Sequence, residues 1–545
     1  MPSRIETWGC AGTAPSSDRL AQESTIARGP ALLTAEEAVE LVPTGATLVV
    51  TGSGGGVNEP AALLSALRQR FRTSGRPERL VLYHPNGLGD GKGGGTEAFA
   101  YPGFVRAVYG SHWSWAPQLS EMAVAGEFET GIWPQGVLSQ LLRESAARRP
   151  GLLTQVGMQT YLDPRVTSVR PGRQRLPELV TLGGEEWLFY PAPSVDVAFI
   201  RASAADRAGN LTMDEEGAVL DVLGAAQAAH NAGGIVIAQV RRLVEPRGLD
   251  PRLVRVPGCL VDAIVVAPDQ RQSTSTGYEP GYTGADVVSV PDRPLERGER
   301  LVIARRAALE LRPRMVVNLG FGIADGVASV ASREGVADDV TFSVEQGTAG
   351  GVPAWGSDFG LMWNPTSILD APSQFDFYDG GGIDLAIVSF AQVDAQGNVN
   401  VSQFGNRLVG PGGFMDITQT AKAVVFCGTF TAKGQHVHVR DGRLRIEQDG
   451  TIRKFVVSVD QITWSAREAL SRGQRVLYVT ERAVFALAEG GPELVEIAPG
   501  VSLDNVVASM DFIPAMREPL AAMPSGVFGD GPLGLAERFR GSEVR

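Results

Sequence analysis

The chain has 545 residues, with 49 Lys and Arg against 61 Asp and Glu, for a formal net charge of -12. That balance argues against a protein whose main task is to grip nucleic acid or an anionic membrane. The cysteines Cys10, Cys259 and Cys427 are far apart and form no CxxC pair, which excludes a disulfide framework or a zinc cluster and fits a reducing, cytoplasmic compartment.

Residues 1–30 are polar, mixed in charge and without a hydrophobic run, so they read as a flexible N-terminal extension rather than a secretory signal. Ala46 to Val50 predicts a buried strand, followed by the glycine loop Thr51 to Gly56 and a helix from Pro60 to Phe71. The same order returns later. A strand over Met315 to Leu319 is followed by Gly320-Phe321-Gly322 and a helix running to Arg333. A second long-range match aligns Asp196–Met213 with Asp384–Val401 without gaps. Asp196, Ala198, Asp206, Gly209 and Asn210 coincide with Asp384, Ala386, Asp394, Gly397 and Asn398. Each copy predicts a strand, a loop, an Asp-x-x-Gly-Asn turn and a further strand. A third match sets Ala226–Ala229 beside Thr418–Ala421, each ahead of a β run. Two related α/β domains in one chain account for all three, with mostly parallel sheets covered by helices. Residues 31–275 and 299–545 are the expected domains, and the polar, Gly- and Pro-containing segment 276–298 is the expected linker. Leu301 to Leu311 has helical spacing.

The chemistry points to a carboxylate. Gly52 to Gly56 and Gly320 to Asp325 both fail the dinucleotide fingerprint, and Lys92 lacks the P-loop spacing. No Gly-x-Ser-x-Gly elbow is present. His436 and His438 alternate on one strand without a carboxylate or Cys at ligand spacing, so no metal is expected and a surface strand is. Cys427 sits in an apolar run as a core residue. His84 and His112 receive no role from the sequence. The β-favouring run Val340 to Val344 ends at Glu345 and passes into the glycine-rich segment up to Pro353. A carboxylate at the C-terminal end of a strand in an open α/β sheet stands where such sheets bind ligands. A solvated glutamate at a strand end is the competing reading. Gly410-Pro411-Gly412-Gly413 leaves backbone N–H groups unshielded, able to donate to an oxygen gaining charge, or else serves as a packing turn ahead of a polar turn and β run from Thr418 to Phe430.

Glu345-Gln346-Gly347 followed by Gly350-Gly351-Val352-Pro353 resembles the catalytic glutamate motif of family I coenzyme A transferases, of the single-chain acetate, propionate or 3-oxoacid type. Matches continue through Gly94 to Ala100, Gly110 to Trp113, Pro134 to Ser139, Asn318 to Ile323, Gly397 to Val401 and Gly410 to Ile417. Three departures stand out: Val57-Asn58-Glu59-Pro60, Gln346 in the middle of the catalytic motif, and Ala324 in place of a proline. The resemblance implies an acyl-CoA:carboxylate CoA-transferase, ping-pong through a glutamyl-CoA thioester on Glu345. Coenzyme A is then a substrate, with no separate cofactor. The resemblance also implies an oxyanion hole at Gly412 and Gly413, Gln135 near the reacting acyl group, and Asn318, Gly320 and Gly322 on the CoA side. It implies a homo-oligomer. An acyl-CoA hydrolase on the same scaffold and a non-catalytic ligand sensor are the alternative readings. Trp355, Phe359 and Met362 are candidate pocket walls.

Overall fold

The computed structural model describes residues 29–168, 170–245, 248–293 and 298–542. Cys10 and nearly all of the expected N-terminal extension lie outside these residues.

Two large sheets organise the chain. The first runs in the order Ala31–Leu33, Ala263–Val266, Ile235–Val244, Val197–Asp206, Thr47–Val50, Leu80–His84, Val105–Gly110, Glu129–Gly131 and Arg173–Gln174. Every neighbouring pair along this path is parallel. Its central strands are buried on both faces, Leu80–His84 and Val197–Asp206 along their whole length, because helices such as Ala61–Ser74, Gln135–Ala146 and Val222–Asn231 cover them. This explains the unbroken apolar runs. The second sheet has a parallel centre of Thr341–Ser343, Val316–Leu319, Leu385–Ser389, Ala423–Cys427 and Arg475–Val479. Antiparallel strands extend it on both sides: Thr348–Ala349 and Ser367–Ile368 at one edge, Ala483–Ala488 and Gly491–Ile497 towards the other. Strand Ala515–Ala522 closes that second edge in parallel with Gly491–Ile497. Three large clusters of buried apolar side chains fill the layers.

The internal repeat is reproduced down to single hydrogen bonds. Asp196 Oδ2 accepts from the Thr47 N–H, and Asp384 Oδ2 from the Val316 N–H, both at 2.8 Å. Asp206 accepts from the Ala208 and Asn210 N–H groups and the Asn210 amide. Asp394 accepts from Gln396, Asn398 and the Asn398 amide in the same pattern. Such self-contained turns need no distant partner, which is why the sequence carries them so legibly. One local expectation changes. The first copy is one unbroken strand from Val197 to Asp206, while the second is interrupted at Phe390 and Ala391. The expected turn and β run between Thr418 and Phe430 are present, with the strand at Ala423–Cys427, and a helix without a sequence signal, Phe414–Thr418, leads into them. A five-residue helix is too short to leave a periodic signal. His436 and His438 lie on the exposed face of strand His436–Arg440, and His438 Nε2 pairs with Glu447 at 3.1 Å. Among the described residues no group of three or more His, Cys, Asp or Glu is placed to hold a metal ion, and no helix is long and apolar enough to cross a membrane.

Candidate active site

A cleft of about 490 Å³ opens where the ends of the two sheets face each other. Its walls come from both halves: Ser53, Asn86, His112, Trp115 and Gln135 on one side, Gly320, Phe321, Glu345, Phe359 and the Val409–Phe414 segment on the other. Glu345 follows strand Thr341–Ser343 by two residues, at that strand's C-terminal end, and is 9% exposed.

The Glu345 carboxyl is sparsely held. Oε1 accepts from Gln346 Nε2 at 3.3 Å, while Oε2 accepts no hydrogen bond from the described residues. Burial pushes its pKa above the ordinary glutamate range, and its own backbone N–H and the Gln346 amide pull back against that. A carboxylate with an unshared oxygen in a partly apolar cleft is a stronger nucleophile than one solvated at a strand end. The same Gln346 Nε2 lies 3.4 Å from Ser53 Oγ, which ties the motif to the glycine loop of the other half.

The 410–413 loop is stitched to the first half by main-chain bonds. The Trp113 N–H donates to the Val409 carbonyl at 2.8 Å, the Gly412 N–H to the Ser111 carbonyl at 2.9 Å, and the Gln135 N–H to the Gly412 carbonyl at 2.9 Å. Gly410 has φ +79°, and a Cβ there would stand 2.3 Å from the Ser111 oxygen, so this approach requires glycine. The expectation that Gly412 and Gly413 both offer a free N–H is corrected here. The Gly412 N–H is spent on Ser111, a partner 301 residues earlier in the chain. The Gly413 N–H meets no acceptor among the described residues. Gly413 is also close to the carboxylate, since a Cβ on it would lie 3.3 Å from Glu345 Cγ.

Gln135 and Gly320 line the cleft with Glu345. Asn318 does not. It is fully buried, and its amide donates to the Ser343 carbonyl at 3.3 Å and to the Tyr378 hydroxyl at 3.2 Å, bracing the strand that carries Glu345. Gly322 is not among the lining residues and lies beside Ser389. Of the three candidate pocket walls Phe359 alone borders the cleft. Trp355 lies under the Arg293 guanidinium, 5.6 Å from ring centroid to Cζ, and Met362 is part of the buried core. Sequence reasoning left His112 without a role. It lines the cleft, its Nε2 is 2.5 Å from Ser114 Oγ, and burial lowers its pKa to about 4, so the ring is neutral at physiological pH. His84 stands behind the wall with Nδ1 2.7 Å from the Asn86 carbonyl, and burial likewise takes it to about 4.

Comparison with known proteins places this geometry. The chain is 42% identical over 510 residues to the acetate CoA-transferase YdiF of Escherichia coli K12, covering 92% of this chain and 96% of that one. The chain belongs to the coenzyme A transferase family. The family's sequence profile, described as coenzyme A transferase, matches residues 32–267. The caffeate CoA-transferase of Acetobacterium woodii is 41% identical over 514 residues, covering 91% of this chain and 97% of that one. A crystal structure of the YdiF acyl-CoA transferase of E. coli O157:H7, as a thioester complex with CoA, superposes with a TM-score of 0.88 at 41% identity, over 93% of this chain and 97% of that chain. The protein is thus a CoA-transferase, an enzyme of acyl-CoA metabolism with two related α/β halves.

Proposed function

We propose that this enzyme moves CoA from a short-chain acyl-CoA to a carboxylic acid with Glu345 as the covalent carrier. The carrying observation is that Glu345 lines a cleft built by both halves, with its Oε2 unshared and Gly413, whose N–H is unengaged among the described residues, close to its side chain. Ionised Glu345 attacks the thioester carbonyl carbon through one oxygen. The C–S bond breaks, and CoA leaves as thiolate from the resulting mixed anhydride. The thiolate attacks Cδ of Glu345, the bond from Cδ to the bridging oxygen breaks, and the acid departs as carboxylate. No proton is gained or lost. The acceptor carboxylate runs the sequence backwards, so the thioester is conserved. Each attack passes through a tetrahedral oxyanion, and the Gly413 N–H is the donor assigned to it. Gln135 is assigned to the acyl side, where its Nε2 is buried without a partner among the described residues. Gly320 is assigned to the CoA side. Asn318 and Gly322 act on this reading through the strand and loop they support.

The apolar walls, Phe321, Phe359, Val388, Phe414 and Ile417 among them, fit an acyl group and favour exclusion of water. They support acetyl-CoA or propionyl-CoA as donor. Coenzyme A serves as substrate and no separate cofactor is assigned. The division into 31–275 and 299–545 about a linker at 276–298 is supported by one sheet drawing its strands from 31–266 and the other from 316–522. A cytoplasmic homo-oligomer completes the proposal. The scattered thiols support the compartment, and exposed apolar side chains such as Val287 and Ile513 support association. Transfer is tested against hydrolysis by acetate release from acetyl-CoA. Acetate release beyond one equivalent per site is expected to require an added carboxylate such as propionate, with CoA recovered as propionyl-CoA rather than free. Full-rate turnover without any acceptor acid identifies a hydrolase instead.

A further inference from the structure

The helix Gln135–Ala146 begins on Pro134, which supplies no side-chain cap. Its first N–H groups still need acceptors, because no carbonyl lies a turn earlier to receive them. They find these in the other half of the chain. The Gln135 N–H donates to the Gly412 carbonyl at 2.9 Å, and the Gly136 N–H donates to Asp416 Oδ2 at 3.1 Å. Asp416 is fully buried on the helix Phe414–Thr418, which leads straight out of the 410–413 loop. The contact is close because residue 136 has no side chain. A Cβ there would stand 2.4 Å from Asp416 Oδ1 and 2.7 Å from Phe375 Cδ1. A cap normally comes from the residue just ahead of its helix. Here it comes from 280 residues further along, so ordering the helix and ordering the loop are one event.

The two bonds form a clamp. One fixes the loop at Gly412 and the other fixes it four residues on, with Gly413 between them. On the helix side, both bonds act on the two residues that present Gln135. We propose that Asp416 is a positioning residue for CoA transfer: by capping the Gln135–Ala146 helix from the opposite half, it holds Gln135 and the Gly413 N–H in register around Glu345. This rests on the reading of Glu345 as carrier. A displacement of about 1 Å at such a distance from the chemistry can cost on the order of 100-fold in rate.

The test compares Asp416→Ala and Asp416→Asn with the wild-type enzyme, using acetyl-CoA as donor and propionate as acceptor. Steady-state kinetics are read together with the rate of CoA adduct formation by intact-protein mass spectrometry. Asp416→Ala is expected to lower kcat and the adduct rate by about 10- to 100-fold, with KM for acetyl-CoA within about threefold. Asp416→Asn keeps an oxygen for the Gly136 N–H and is expected to stay within about threefold of wild type. If the alanine variant does not fold, Asp416→Ser, too short to reach Gly136, takes its place with the same expectations. A folded alanine or serine variant working at the wild-type rate overturns the proposal, as does an equal loss in the asparagine variant. A wild-type enzyme that forms no adduct overturns the Glu345 reading itself, and this inference with it.

Discussion

Replacing Gly136 by alanine sets two effects of known size against each other. In an ordinary helix the change gains about 1 kcal/mol, since glycine is the poorer helix former. At position 136 the new methyl would lie 2.4 Å from Asp416 Oδ1, 2.7 Å from Asp416 Cγ and 2.7 Å from Phe375 Cδ1. Both neighbours are fully buried, so neither can swing into solvent. Forcing a methyl into a packed site costs about 1–3 kcal/mol. Stretching the 3.1 Å bond from the Gly136 N–H to a buried carboxyl adds about 1–2 kcal/mol. The sum exceeds the helix gain, and Gly136→Ala is expected to be destabilised by about 2 kcal/mol, a fall in Tm of about 2–4 °C. Thermal unfolding of Gly136→Ala, Asp416→Ala and the double variant measures this. Removing the carboxyl relieves the clash, so the double variant is expected to be more stable than the sum of the singles by at least about 1 kcal/mol. A Gly136→Ala enzyme as stable as wild type, or additive behaviour in the cycle, would refute the packing argument.

Two further expectations concern charge. Glu345 must be ionised to attack, and burial raises its pKa, so the rate of adduct formation is expected to drop as pH falls through a value above the usual glutamate pKa of about 4.3. His112, at about 4, stays neutral above pH 5 and adds no second limb there; a rate unchanged from pH 8 down to 4.5 contradicts the assignment. The buried pair Arg201–Glu216 is bidentate at 2.9 and 3.0 Å, with side chains 4% and 2% exposed. Arg201→Met strands a buried carboxylate and is expected to cost about 3–5 kcal/mol in denaturant unfolding, most of it regained in Arg201→Met/Glu216→Leu; a loss below about 1 kcal/mol for the single variant contradicts this.

How much of this could be read from the sequence follows from how local each interaction is. The Asp206 and Asp394 turns close on residues two and four positions away, so the repeat is visible in both copies. Glu345 is legible because a strand and a glycine-rich turn bracket it. The fate of the Gly412 N–H is not legible, because its acceptor is Ser111 across the cleft, and nothing in a glycine pair says which N–H is already engaged. Asn318 falls within the strand the sequence predicts, but the partners of its side chain are not legible: it sits one residue before the end of Val316–Leu319 and is spent on Ser343 and Tyr378 instead of on the cleft. His112 gains its place in the cleft from the packing of two halves that sequence spacing does not relate. The role of Asp416 depends on helix Gln135–Ala146 meeting the second half at its first turn, a tertiary fact with no periodic trace.

The central claim is that CoA becomes bonded to the side chain of residue 345. Intact-protein mass spectrometry after incubation with acetyl-CoA alone, followed by peptide mapping, addresses it directly. The account predicts a mass gain equal to a CoA thioester on Glu345, discharged by propionate and absent from Glu345→Gln. Transfer at the wild-type rate by Glu345→Gln, or an adduct mapped to any other residue, would contradict it.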